Sequence, residues 1–199
     1  MLDDLPFAKQ RGLGAGWPLL VIDNAEKAGR LTFTKLPSVT GSLETGDYTI
    51  RGLADRVAWE KKEACGDLIG CVPGDSVPAG EIWHDADGNR ILSERARFER
   101  ELHRMQGMEY KAVFVVGTAR DIQEGRYHAA INPHAVFGSI TRWQTRYGVP
   151  FRFFATAADA AAQIEKEAIY IVNYYRQLLA GIEMREPAPA APQPEKQNV

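Results

Sequence analysis

The chain has 199 residues, 24 of them Lys or Arg against 26 Asp or Glu, for a formal net charge of −2, and 45% of its residues are hydrophobic. These values lie in the range of folded globular domains and exclude a disordered chain, a collagen-like fibre and, with only Cys65 and Cys71 present, a disulfide scaffold. They also exclude coating of nucleic acid by bulk positive charge, while a catalytic protein with local basic patches stays open.

Residues 1–18 hold Gly12, Gly14 and Gly16 and read as a flexible lead-in. The glycines precede a strand, whereas a phosphate loop joins a strand to a helix. The acidic start, Met1-Leu2-Asp3-Asp4, lacks the basic and apolar run of a signal peptide, and no stretch is apolar for long enough to span a bilayer. A cytoplasmic protein without membrane contact is therefore expected.

One domain is expected over residues 19–180. Leu19-Leu20-Val21-Ile22 is a buried strand ending at Asp23. Residues 30–36 (RLTFTKL) alternate and predict a second strand, while 42–50 and 56–62 predict a third and fourth joined by a turn at Gly52. Residues 63–72 predict a short helix stopped by Pro73-Gly74. Residues 81–92 predict a hairpin turning at Asp87-Gly88. Asp85, Asp87 and Asn89 imitate the opening of a calcium loop, but Arg90 and Ala96 stand where its Gly and Glu belong. Ser93 caps a charged helix to Gln106, and the apolar run Tyr110–Val116 is a central strand covered on both faces.

Asn132-Pro133 opens a helix to Tyr147, stopped by Gly148, and 149–154 predict a further strand. Thr156 caps the longest helix, to Leu179, with Ile164, Ala168, Ile171, Val172 and Tyr175 at helical spacing. The Pro/Ala-rich segment 186–199 is expected to be disordered. Strands that cluster first and then alternate with helices indicate a three-layer α/β fold, a central mixed sheet flanked by helices.

The chemistry concentrates in Gly46-Asp47-Tyr48 and Trp59-Glu60-Lys61-Lys62. Side chains alternate along a strand, so Glu60 and Lys62 share one face and Trp59 and Lys61 the other. If the two segments pair, Asp47 approaches Glu60 and Lys62. Two converging carboxylates suit a hard divalent cation, and a nearby ammonium orients a nucleophile or neutralises developing charge. Alternating charge on a solvated strand edge gives the same pattern. Asp23 and Glu26, just beyond a buried strand, and Asp67 beside an amphipathic turn favour the catalytic reading.

With these residues the chain resembles the XPF-type structure-specific nucleases, within the PD-(D/E)XK, restriction-endonuclease-like group. The resemblance runs through Val21-Ile22-Asp23-Asn24-Ala25-Glu26, Gly46-Asp47-Tyr48, Glu60-Lys61-Lys62 and Asp67-Leu68-Ile69-Gly70, and continues through Arg97-Phe98-Glu99-Arg100-Glu101-Leu102 to about Ala162. It implies a restriction-endonuclease-like fold and an Mg²⁺- or Mn²⁺-dependent endonuclease cutting DNA at branches, flaps or junctions, in DNA repair or recombination. It implies catalytic roles for Asp23, Glu26, Asp47, Glu60 and Lys62. Asp47, Glu60 and Asp23 would hold the metal with the Lys61 carbonyl, Lys62 would position water, and Asp67 is an additional candidate.

Three positions depart from the family pattern. Ala25 replaces an Arg, Lys61 replaces the Arg of Glu-Arg-Lys, and Asp67 lies one residue farther on. Ala25 and Lys61 support an alternative, a catalytically impaired member that binds DNA or a partner as a scaffold. The residue types suit RNA as well as DNA. Arg97 is the first candidate phosphate contact, with Lys61. Arg142, Trp143 and Arg146 form a candidate second patch with an aromatic for stacking. No tandem helix-hairpin-helix pattern follows Leu179, so a stand-alone nuclease domain, as in bacterial or phage members, is expected. By analogy with that family, the C-terminal helical region is the expected homodimer face.

Overall fold

The computed structural model describes residue 16 and residues 18–26, 30–72 and 93–183. The expected hairpin at 81–92, nearly all of the lead-in and the tail at 186–199 lie outside the described residues. The six strands β1 (Leu20–Asp23), β2 (Ser38–Gly41), β3 (Tyr48–Ile50), β4 (Val57–Glu63), β5 (Tyr110–Val116) and β6 (Phe151–Phe154) form one sheet in the order β2-β1-β3-β4-β5-β6. The pairs β1·β2, β4·β5 and β5·β6 are parallel, while β1·β3 and β3·β4 are antiparallel. The sheet is mixed, as expected.

Helices cover both faces. The long helix α5 (Ala157–Glu183) packs Ala160, Ile164, Ala168, Ile171 and Val172 against Leu20, Ile22, Tyr48, Trp59 and Phe114. On the other face, α1 (Asp67–Gly70), α2 (Glu94–Met105), α3 (Ala119–Gln123) and α4 (Pro133–Tyr147) bury Leu68, Phe98, Leu102, Ile122, Ile140 and Trp143 against Ala58, Val113 and Val115. This is the expected three-layer α/β architecture, a central mixed sheet flanked by helices. Because side chains alternate along β4, Val57 and Trp59 enter the α5 core and Ala58 enters the other. The next two residues on the Ala58 side are Glu60 and Lys62, so the charged end of the strand emerges under α2.

Helix ends follow their caps. Ser93 Oγ accepts from Ala96 N at 3.1 Å, Asn132 Oδ1 from His134 N at 2.8 Å and Thr156 Oγ1 from Asp159 N at 3.1 Å. Gly148 ends α4 at φ +63°, the left-handed conformation that costs glycine least. The short α3 has no counterpart in the sequence reading; Thr118 and Asp121 make its capping box.

The predicted second strand is absent. Residues 30–36 form an irregular segment, and the strand beside β1 is the later Ser38–Gly41. The alternation of RLTFTKL reflects anchoring of a loop: Leu31 and Leu36 are buried, Leu31 N donates to Tyr48 Oη at 3.0 Å, and one carboxylate oxygen of Glu165 accepts from Thr34, Lys35 and Leu36 N at 2.7, 2.5 and 3.0 Å. The third strand is also shorter than expected, Tyr48–Ile50, because residues 44–47 bend around Gly46 at φ +74°. A Cβ there would meet Trp59 O at 3.0 Å. The bend sets Asp47 at the head of β3, beside Glu60.

Candidate active site

The β3–β4 pairing brings Asp47 onto β4: Asp47 N donates to Trp59 O at 2.9 Å, and Lys61 N donates to Asp47 Oδ2 at 2.7 Å. Glu60 is 6% exposed, and its Oε1 accepts from Lys62 Nζ at 2.6 Å. Lys62 also lies over the Phe98 ring, 5.3 Å from its centroid, so α2 limits where the ammonium swings. Asp47, Glu60 and Lys62 therefore meet as the alternation of β4 requires.

Burial is the main cause of a strong upward push on the Glu60 carboxyl, the charge of Asp47 adds to it, and Lys62 opposes it. Asp47 is likewise raised, first by burial and further by Glu26 and Glu101, against the Lys61 hydrogen bond and Lys62. Burial by itself would lower the Lys62 ammonium, but its ion pair with Glu60 and the charge of Asp47 outweigh this and raise it. Burial and the neighbouring carboxylates together thus outweigh what one lysine offsets.

The group opens into a cleft of about 570 Å³ lined by Glu60, Lys62, Cys71 and Ala25 on one side and by Arg97, Phe98, Arg100, Glu101 and Arg104 of α2 on the other. Arg97, the first candidate phosphate contact, faces the cleft with its guanidinium paired to Glu94. Cys71 contributes a thiol that burial pushes up to about 11, a neutral wall.

The other expected residues spread around this centre. Lys61 points to the opposite face; its ammonium is 4% exposed and pairs with Glu26 at 3.2 Å and Glu63 at 3.5 Å. Expected as a DNA contact, it is instead enclosed by carboxylates, and what it offers the site is backbone. Asp23 shares a main-chain bond with Asp47 (Asp23 N to Asp47 O, 2.8 Å), while its carboxylate accepts from Leu43 N at 3.0 Å and Ala25 N at 3.3 Å. Asp67 is exposed and accepts from Glu63 N at 3.4 Å. Arg142 and Arg146 are exposed on α4, but Trp143 is fully buried, with Nε1 donating to Glu99 at 3.0 Å. It offers no face for base stacking, which corrects that part of the expected patch.

Glu101 is the site residue that the sequence reading missed. Its Oε1 accepts from Gly46 N at 2.7 Å, its Oε2 pairs with Arg104, and its charge bears on both Asp47 and Glu60. The signal was the spacing of Arg97, Arg100, Glu101 and Arg104, which puts all four on one side of a helix; the interleaved charges read equally well as a solvated face.

Among the described residues no group of three or more His, Cys, Asp or Glu side chains forms a ready metal cluster. The donor set still fits a hard divalent cation. Asp47, Glu60 and the Lys61 carbonyl supply oxygen, and a cation of the Mg²⁺ type is held by one or two carboxylates, with water and substrate phosphate completing the shell. A cation would also offset the buried negative charge of both acids.

The chain matches the ERCC4 domain over residues 22–166, a span holding Asp23 to Arg146 of the candidate residues. It is similar to the structure of XPF from Aeropyrum pernix at 17% identity and a TM-score of 0.46, covering 92% of this chain and 70% of that one. For the same XPF in complex with DNA the values are 14% and 0.47, covering 79% of this chain and 66%, just under two thirds, of that one. No curated protein sequence matches the chain.

Proposed function

The chain belongs to the ERCC4 domain family, an XPF-type nuclease domain, and on that premise we propose that it is an Mg²⁺- or Mn²⁺-dependent endonuclease hydrolysing DNA phosphodiester bonds at branches, flaps or junctions. The observation that carries this reading is the meeting of Asp47, Glu60 and Lys62 at one end of β4, in a cleft whose far wall is an arginine-bearing helix.

Asp47, Glu60 and the Lys61 carbonyl would hold the cation, with Asp23 behind them as a further candidate. When bound, it supplies Lewis-acid polarisation of the phosphoryl oxygen and a more acidic water. Lys62 leaves Glu60 to orient the attacking water and to offset the charge that grows on the phosphoryl oxygens. Arg97 grips a phosphate beside the scissile one from α2. The pair Glu26–Lys61 fixes the back of β4, and Asp67 braces the turn that follows it.

A second copy would pack on α5, where Tyr170, Tyr174 and Leu178 are 64%, 46% and 45% exposed at a spacing of four residues, on one side of the helix. Among the described residues no helix is long and apolar enough to cross a membrane.

The test uses purified protein with Mg²⁺ or Mn²⁺ and end-labelled linear, flap and four-way DNA, beside Glu60→Gln and Lys62→Ala. Cleavage that requires metal, prefers the branched forms and is lost in both variants is the expected outcome. Binding without cleavage by the wild-type chain overturns the enzyme and leaves the scaffold reading suggested by Ala25 and Lys61.

A further inference from the structure

A second cavity, of about 600 Å³, lies on the other side of α2 from the cleft, between that helix and the end of α4. Arg100 lines both cavities, so the two are separated by a single helix whose exposed crest carries an arginine into each. From α2 the second cavity takes Arg100, His103 and Glu99, and from α4 it takes Arg146 and Tyr147.

We propose that this cavity is a groove for the nucleic-acid phosphate backbone, so that the strand cut in the cleft crosses α2 and is held a second time beyond it. The inference rests on the nuclease reading of the cleft and adds where the rest of the substrate goes. Charge is its first support. Arg95, Arg97 and Arg104 of α2 are each paired with a glutamate, whereas Arg100, Arg142 and Arg146 have no carboxylate partner among the described residues. The one acid in the groove, Glu99, is already committed, because its Oε1 accepts from Arg95 Nε and Trp143 Nε1, both at 3.0 Å. The groove therefore offers net positive charge to a polyanion.

Rigidity is the second support. The Arg146 guanidinium lies 5.2 Å from the centroid of the Tyr147 ring, whose body is buried. The Phe98 and Trp143 rings pack edge to face at 5.0 Å, locking α2 to α4. Arg142, one helical turn before Arg146 on the same exposed face, extends the positive track. The Tyr147 ring is buried, so the arginines and His103 are what the groove presents, and cationic side chains of this kind grip the phosphate backbone.

Its reach follows from helix width. An α-helix with its side chains is about 10–12 Å across, and duplex DNA presents a phosphate per strand about every 3.4 Å of axis, so the groove begins about three nucleotides from the cut. DNA that ends sooner never enters it.

The experiment measures binding by fluorescence anisotropy without divalent metal, so that it is independent of cleavage, on duplexes of stepped length and at low salt. Wild type is compared with Arg142→Glu/Arg146→Glu, both exposed positions, with thermal midpoints checking the fold. The expected result is a loss of about tenfold in affinity for long duplexes, a salt slope shallower by about 2, and no change for the shortest duplexes. An affinity loss that is equal at every length, or absent at every length, overturns the groove. Failure of the nuclease reading shows elsewhere, as wild-type protein that cuts nothing with metal present.

Discussion

Glu165 and Glu60 lie on opposite sides of one sheet, 1% and 6% exposed, and they are stabilised by different means. A single oxygen of Glu165 collects three successive backbone N–H groups of the loop before β2, so fixed dipoles solvate its charge and the loop gains its anchor. Among the described residues Glu60 has no such cradle. Its partner is the ammonium of Lys62, and the charges of Asp47 and Glu101 bear on it as well. The first arrangement serves the fold. The second is poor for the fold alone and suited to receiving a cation, which is the difference between a structural and a catalytic buried acid.

Glu60→Gln separates the two buried acids most sharply. Metal-dependent cleavage should fall by about a thousandfold or more, the several kcal/mol that a cation's charge stabilisation supplies. Stability should hold or rise, because the folded chain disfavours the ionised form of Glu60. The sign with pH follows from the raised carboxyl. The folded state binds the proton more tightly than the unfolded one, so this group's contribution to stability is full below the ordinary carboxylate range and is lost as pH rises through the elevated value. Chemical denaturation from about pH 5 to about pH 9 should therefore show wild type losing stability relative to Glu60→Gln. A cation that binds Asp47 and Glu60 should restore the wild type alone at the upper end, read as a rise in thermal midpoint.

Glu165→Ala is the converse. It leaves three N–H groups without their acceptor, at a cost of about 3 kcal/mol, while cleavage per folded molecule and the response to metal stay as in wild type. Equilibrium urea unfolding and an activity assay on the folded fraction check both halves. Loss of activity without loss of stability would place Glu165 with Glu60 and end the distinction.

Glu101 stands between the two, a carboxylate that holds one N–H and also faces the cleft. Glu101→Ala should lower kcat by about 10–100-fold, the usual loss when a support behind a metal ligand is removed. Glu101→Gln keeps an acceptor for Gly46 N and should recover most of it. Equal loss in both variants would make its charge, and not its hold on the Gly46 turn, the important property.

These residues also mark what the sequence made legible. Asp47, Glu60 and Lys62 were readable because strand alternation and one hairpin-like pairing place them, and both are local. The family resemblance added order and spacing, which the match over residues 22–166 supports. Glu165 was not readable, since its partners lie 129 to 131 residues away in a segment whose alternation imitates a strand. Glu101 was hidden for the same reason: its bond to Gly46 spans 55 residues, and its neighbours on α2 offer it ordinary helix ion pairs. α3, five residues long, is too short to show a period. Contacts made across the sequence, and not local propensity, decided Glu165 and Glu101, whereas α3 rests on a local capping box.

Arg97→Ala carries the smallest expected effect and tests the cleft's far wall. Its guanidinium is 60% exposed and paired with Glu94, an exposed i,i+3 ion pair worth at most about 1 kcal/mol, so the fold should not register its loss. DNA affinity should fall a few-fold, with a salt slope shallower by about 1, because one phosphate contact is gone. Glu94→Ala should act in the opposite direction, releasing Arg97 from its competitor and removing a negative charge from the cleft mouth. The pair of variants thus separates charge delivered to the substrate from charge spent within the protein. If Arg97→Ala instead abolished cleavage with binding intact, Arg97 would be acting on the reacting phosphate itself, and the chemistry would extend from β4 across to α2.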